Sequence, residues 1–321
     1  MFNSSILSKS KPMFIGHFLG DALGLPFEHQ HSRNTTLYTG MLSGGLGMKR
    51  VGMYGRQTEL EAGQVSDDSE MTMVLARHLF ENNFTIDKER LVLSYMEWAN
   101  HPTCFGMGKN TRQLFKGVKT YSGYLNRLKA NDKTSQSNGA MMRCSSLVLI
   151  PDEEEMMKCA ELDCSISNPH PVPVNVNKVY LKILRSCFFT APKQSIIHDA
   201  YALCTCDEVR AVFEEALAAK PRNLTENKGF CLHALYCVVY CLVNFDSYTS
   251  AVSWVIKQGG DTDTNACIVG AVFGAHVGYE NLMKEQSENI KILLGCTTTG
   301  GNKPRPNSFI PGFFIKKYFS F

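Results

Sequence analysis

The chain lacks the marks by which several function classes announce themselves. Its 33 lysines and arginines stand against 30 acidic residues, and the resulting charge of +3 is scattered along 321 residues. Without a basic cluster there is no electrostatic case for nucleic acid. No run is long and apolar enough to suggest a membrane span. The most apolar stretch, Phe230 to Phe245, carries His233 and Asn244 and reads as a buried helix. The N-terminus from Met1 to Lys11 lacks the basic-then-apolar order of a signal peptide, so a cytoplasmic location is the expectation. The 12 cysteines show no zinc-type spacing: Cys204 and Cys206 are too close, and Cys237 and Cys241 sit one helical turn apart in an apolar run. They read as reduced core thiols of a cytosol-like compartment. There is no phosphate-cradling loop with lysine of the P-loop type, no internal repeat, and no Pro/Gly/Ser linker. Period-2 alternation is nearly absent, which removes sheet-based folds.

What is present is helical periodicity in a chain of ordinary globular composition, 44% hydrophobic and 20% charged. Met71, Val74, Leu75 and Leu79 recur at helical spacing, as do Leu91, Tyr95 and Trp98. Val179, Ile183, Leu184 and Phe188 follow the same rule, then Val209, Val212, Phe213 and Leu217, the run from Phe230, and Val252 to Ile256. The expected architecture is a flexible N-terminus over residues 1–12, a single all-α domain over 13–307, and an aromatic tail over 308–321 with Lys316 and Lys317 in its middle. That tail packs back onto the domain or onto a neighbouring subunit; the sequence does not choose, and the oligomeric state stays open. Residues His31 to Gln64, rich in glycine and polar side chains, read as a long loop near a site. The acidic run Asp152 to Glu155 reads as a solvated helix start.

Two oxygen-rich clusters carry the chemistry. Gly259-Gly260-Asp261-Thr262-Asp263-Thr264-Asn265 places two carboxylates two residues apart among hydroxyls, after a glycine pair that permits left-handed backbone. Ser66-Asp67-Asp68-Ser69 opens an earlier helix. One helix cap needs one oxygen, whereas four consecutive side chains here offer them. Glu70, three residues after Asp67, nevertheless resembles the second half of a capping box. Clustered carboxylates and hydroxyls suit hard divalent cations. Behind the second cluster, Gly270, Gly274 and Gly278 alternate with Ala266, Ala271 and Ala275, which predicts a helix packed closely enough to hold the aspartates rigid.

Read in order, Gly20-Asp21-Ala22-Leu23-Gly24-Leu25-Pro26-Phe27-Glu28, Ser66-Asp67-Asp68-Ser69, Asn138-Gly139-Ala140-Met141-Met142-Arg143, and Gly259 to Asn265 with its Gly/Ala helix resemble the ADP-ribosylglycohydrolase family, which includes the dinitrogenase-reductase-activating glycohydrolases. The motifs span Gly16 to Gly278. The resemblance implies an all-α, compact orthogonal multi-helix bundle with a central cleft holding two divalent cations, magnesium or alternatively manganese. Position by position, it implies Ser66, Asp67, Asp68, Asp261, Asp263 and Thr264 as ligands. Serine 66 stands where the family usually has threonine and keeps the hydroxyl. The substrate implied is an ADP-ribosylated protein or a small molecule containing ADP-ribose. The cleaved bond joins the anomeric carbon of the distal ribose to a side-chain atom. Glu28, or an aspartate among Asp67, Asp68 and Asp261, would take the proton of the attacking water. Asn138, Gly139 and Ala140 would approach the ribose or diphosphate, Phe105 would stack on adenine or ribose, and Asp21 reads as a structural turn residue. Arg143 reads as one half of a buried salt bridge, with pairing to a phosphate as the alternative.

Two departures bear on specificity. In Ser167-Asn168-Pro169-His170 an asparagine takes the family's histidine position, with His170 two residues later as a substitute. Between Cys104 and Arg112 there is no acidic residue ahead of Gly106, where relatives acting on arginine-linked ADP-ribose often carry one. Two alternatives stay open at this level: a non-catalytic ADP-ribose-binding or structural member of the same fold, and a different metal-dependent hydrolase acting on phosphate esters or nucleotide conjugates.

Overall fold

Two helices in backbone contact organise the molecule. The computed structural model describes residues 4–30, 49–51, 57–131 and 133–319. Among these, α1 (Ser4–Gly24) runs antiparallel to α13 (Thr262–Gly295). Pro12 meets Gly274, Gly16 meets Gly270, Gly20 meets Ala266, and Gly24 meets Thr262. The four-residue step on both helices keeps one stripe of each in register along the seam. A Cβ at Gly20 would overlap the Ala266 carbonyl. The close packing expected of the Gly/Ala helix is therefore present, and its partner is α1. The helix beyond the seam breaks at Gly278, whose φ is +76°. Helix α1 takes in residues 4–12, which the sequence reading set apart as a flexible N-terminus: Ile6 and Ser10 are buried within it.

Around this pair stand α2 (Asp67–Glu81), α3 (Lys88–Asn100), α4 (Lys109–Phe115), α5 (Tyr121–Ala130), α6 (Met141–Cys144), α7 (Glu153–Ser167), α8 (Pro171–Phe188), α9 (Lys193–Tyr201), α10 (Asp207–Leu217), α11 (Cys231–Asn244) and α12 (Tyr248–Gln258), with α14 (Pro311–Phe319) last. The fold is all-α, with fourteen α-helices among the described residues. Two short antiparallel ladders join it: β1 (Lys49–Val51) with β2 (Gln57–Glu59), and β3 (Thr298–Thr299) with β4 (Lys303–Pro304). The first ladder lies within the stretch read as a loop, His31 to Gln64; residues 31–48 and 52–56 lie outside the described residues. No helix is long and apolar enough to cross a membrane among the described residues.

The apolar stripes read from periodicity face one core. Met71, Val74, Leu75, Leu79, Leu91, Tyr95, Trp98, Val179, Ile183, Leu184, Val209, Val212 and Phe213 are all buried. Leu217, counted with them, closes α10 and is 51% exposed, because the stripe ends where the helix does. Asp152 caps α7 by accepting from the Glu155 amide, in the exposed setting expected. All 12 cysteines are free thiols, ten of them buried. The aromatic tail folds back onto its own chain: Phe314 and Phe319 lie 5.1 and 5.4 Å from the Phe14 ring, and Tyr318 stacks on Phe80 at 4.3 Å. Lys316 and Lys317 point to solvent.

Arg143 ties the core to the loop ahead of α6. It is fully buried, its Nε donates to both oxygens of Asp163, and Tyr95 donates to the same carboxylate. Its Nη1 donates to the Gly139 carbonyl and its Nη2 to Ser167. The salt-bridge role therefore prevails over phosphate binding. Removing one partner of a buried pair strands the other charge, at a cost of about 3–5 kcal/mol. Arg143→Met is expected to lose stability on that scale, and Arg143→Met/Asp163→Leu much less. Chemical denaturation of the two variants checks this; equal losses would show that the pair is not the source.

Candidate metal centre

The site forms where three helix ends meet. Asp261 is the N-cap of α13 and Asp263 lies in its first turn. The preceding Gly259 and Gly260 take φ values of +76° and +83°, so the turn needs the glycines that the sequence supplies. Ser66 caps α2, with Asp67 and Asp68 in its first turn. Glu28 ends the short 3-10 turn Leu25–Phe27 that closes α1. All of these are buried, as are Thr264 and Asn138. Gly106, at φ +95°, passes so close to Asp67 that a side chain there would collide with its Oδ1.

Capping does not account for the acidic cluster of α2. The amides of Ser66 and Ser69, at the start of the helix, both donate to Asp21, which also accepts from the Ser69 hydroxyl at 2.6 Å. Asp21 is thus structural, though as a cap lent across from α1 rather than as a turn residue. Nor does Glu70 turn back as a capping box would have it. Its Oε2 accepts from the Trp98 indole at 2.7 Å and its Oε1 faces Arg305 at 3.5 Å. With the helix start satisfied by Asp21 and Ser66, Asp68 is left for another purpose.

The carboxylates converge in two groups, each with ligand oxygens within 4.8 Å of one another: Asp21, Asp68 and Asp263, and Glu28, Asp261 and Asp263. Asp263 belongs to both. Burial raises Asp68 well above the usual carboxylate range, and the charges of Asp67, Asp21 and Asp261 push it further up. Burial also raises Asp21, against the pull of its hydrogen bonds from Ser69 and Ser66. One oxygen of Asp68, Oδ1, is buried and accepts no hydrogen bond among the described residues. Like charges packed out of water around an unsatisfied oxygen are relieved by a bound cation or by taking up a proton. An all-oxygen donor set of this kind fits magnesium, manganese or calcium.

Of the four carboxylates expected as ligands, Asp68, Asp261 and Asp263 enter these groups and Asp67 does not. Asp21 and Glu28 also enter the carboxylate groups, although the family resemblance implies neither as a ligand. The Ser66 hydroxyl donates to Asp68 Oδ2 at 2.6 Å and accepts from the Asp68 amide. Asn138 donates its amide to Asp261 Oδ2 at 2.7 Å, so it holds a carboxylate directly. Asn168 is buried and donates to the Ser137 carbonyl and hydroxyl, bracing the loop that carries Asn138 and Gly139. His170 does not take over that task. It caps α8, its Nδ1 accepting from the Val172 amide at 3.2 Å. The half-buried Phe105 ring lies against the backbone of Gly300 in the β3–β4 turn.

Sequence reasoning missed several neighbours. Gly229, at φ +80°, lies against Asp261 and Asn138. His29, at φ +65°, places Nε2 3.1 Å from Glu28 Oε1. Its amide donates to the Gly260 carbonyl at 2.7 Å, and its carbonyl accepts from Lys228 Nζ at 2.9 Å. Only the adjacency of His29 to Glu28 was visible beforehand.

The fold and this cluster define an all-α protein with buried carboxylate groups of a kind that could hold a metal ion. The sequence profile of the ADP-ribosylglycohydrolase family matches residues 3–293. Protein L543 of Acanthamoeba polyphaga mimivirus, named among the ADP-ribosyl glycohydrolases, is 27% identical over 92% of this chain and 94% of its own. The ADP-ribosyl-[dinitrogen reductase] glycohydrolase of Rhodospirillum rubrum is 21% identical over 88% of this chain and 90% of its own. The ADP-ribosylarginine hydrolase Tri1 of Serratia proteamaculans is 21% identical, over 88% and 75%. A solved structure titled ADP-ribosylglycohydrolase-related protein complex shares the fold, with a TM-score of 0.66 at 19% identity over 91% of this chain and 99% of that one. This chain belongs to the ADP-ribosylglycohydrolase family, and is a glycosidic-bond hydrolase.

Proposed function

We propose that the chain releases ADP-ribose from modified protein side chains by hydrolysis at the anomeric carbon of the distal ribose. The observation that carries this is the two carboxylate groups sharing Asp263 beside a buried, unsatisfied Asp68 oxygen. The relatives named for ADP-ribosylated protein substrates support the substrate class. Ser66, Asp67, Asp68, Asp261, Asp263 and Thr264 would hold two divalent cations, magnesium before manganese. Such cations supply positive charge that fixes ribose hydroxyls and makes water more acidic.

The chain's own groups do the rest. Cleavage builds oxocarbenium-like positive charge on the sugar, and the surrounding carboxylates favour that charge. Glu28 accepts a proton from the attacking water as the water's oxygen bonds to the anomeric carbon; the bond from that carbon to the side-chain atom breaks, and Glu28 returns the proton, directly or through solvent, to the departing atom. Asn138 holds Asp261, and Arg143 holds the Gly139 carbonyl, so the loop of Asn138, Gly139 and Ala140 meets the sugar in one fixed geometry. Gly139 and Ala140 are small enough for the ribose or diphosphate to approach the backbone.

The test is incubation with arginine-linked, serine-linked and polymeric ADP-ribose in magnesium, followed by product analysis. Free ADP-ribose is expected from at least one. Glu28→Gln is expected to lower kcat by about 10²–10⁴, the usual scale of a general base. Absence of release from all three substrates would remove the reading.

A further inference from the structure

We propose that His29 is the positioning residue of Glu28: its imidazole holds the carboxylate in the orientation from which it takes the water's proton. The inference rests on Glu28 being the base. Neighbouring side chains do not face one another in a regular helix or strand, so contact between residues 28 and 29 needs a special backbone. The structure has one. His29 sits at φ +65°, in the left-handed region that side chains other than glycine seldom adopt, and its Nε2 lies 3.1 Å from Glu28 Oε1.

That conformation is held from both sides. The His29 amide donates to Gly260, the residue before Asp261, and the His29 carbonyl accepts from Lys228, the residue before Gly229. Gly260 in turn donates its amide to the Gln30 carbonyl. Both clamps come from the segments that line the carboxylate groups, so the strained residue is registered to the site. Strain maintained in this way recurs where a side chain must be aimed. The imidazole is 21% exposed and the carboxylate 7%, so His29 stands at the rim and Glu28 behind it. One hydrogen bond to Oε1 removes the freedom of the terminal torsion and settles which oxygen faces inward.

The test uses the peptide, arginine- or serine-ADP-ribosylated, that the wild-type protein cleaves in magnesium. His29→Gly keeps the backbone accessible without strain, so its melting temperature is expected to equal or exceed that of the wild type. Its kcat should fall about 10- to 100-fold, the range for groups that orient a working side chain, with KM nearly unchanged. His29→Gln, which retains a side-chain donor, should recover part of the loss. In the Glu28→Gln background His29→Gly should cost nothing further, because its effect runs through that carboxylate. Wild-type kcat in His29→Gly, or losses that multiply in the double variant, would overturn the proposal. Wild-type kcat in Glu28→Gln alone would instead overturn the assignment of the base.

Discussion

Replacing Asp263 with asparagine is expected to abolish release of ADP-ribose and, at the same time, to raise the melting temperature of the metal-free protein. The two effects have one cause. Asp263 is the carboxylate common to both groups, with oxygens within 4.8 Å of Asp21, Asp68, Asp261 and Glu28 in one group or the other. At such distances two like charges repel by on the order of 3 kcal/mol at an effective dielectric of about 20. Asparagine keeps the shape and can keep the bond that Asp263 Oδ1 accepts from the Thr264 amide at 3.0 Å. The substitution thus deletes charge with little change in packing. In the wild-type protein magnesium should reverse the repulsion. At a hundred times its dissociation constant a ligand stabilises the folded state by about 2.7 kcal/mol. Melting curves with and without magnesium should therefore rise with the ion in the wild type and coincide in Asp263→Asn. Asp261→Ala/Asp263→Ala should likewise show no metal-dependent turnover. An unchanged magnesium shift in Asp263→Asn would mean that the cations sit elsewhere. A lowered metal-free melting temperature would mean that Asp263 is bound to a structural partner.

Much of this centre was legible in the sequence because its parts are local. Asp67 beside Asp68, and Asp261 beside Asp263, are neighbours along the chain, and the turns that present them carry their own signals in Ser66 and Gly259-Gly260. The misread parts depend on contacts between distant segments. Asp21 caps a helix whose N-cap, Ser66, lies 45 residues later, so nothing beside it in sequence shows why it is acidic. The apparent capping box at Glu70 is answered by Trp98 and Arg305, groups from other elements. His170 caps α8, and the bracing of the Asn138 loop falls to Asn168, a substitution that side-chain type alone does not interpret. The same distinction holds for the fold. Helical stripes were readable because each repeats within one element. The return of the aromatic tail onto Phe14 and Phe80 was not, since aromatic composition specifies burial without naming the surface.

The seam between α1 and α13 sets an expected loss of both stability and function. By helix preference alone, Gly20→Ala should stabilise α1 by about 1 kcal/mol. Steric contact reverses the sign. The new methyl would overlap the carbonyl of Ala266, and backbone on both sides leaves no flexible side chain to move aside. Overpacking of a tight core costs about 1–3 kcal/mol and more where nothing can give. Here the net loss is expected at about 3 kcal/mol. Function should fall as well, because the seam sets the distance between Asp21, next to Gly20, and the aspartates at the start of α13. Parting the helices by a fraction of an ångström draws Asp21 away from the Ser66 and Ser69 amides. A misplacement of about 1 Å in a catalytic constellation can cost about a hundredfold in rate. Gly295→Ala provides the control at the far end of α13. A side chain there meets nothing within 4 Å, so it should be neutral or stabilising by up to about 1 kcal/mol, with full activity. Denaturant midpoints and turnover for the two variants separate the explanations. If Gly20→Ala stabilised the protein as Gly295→Ala does, close contact along the seam would not be what aligns the carboxylates.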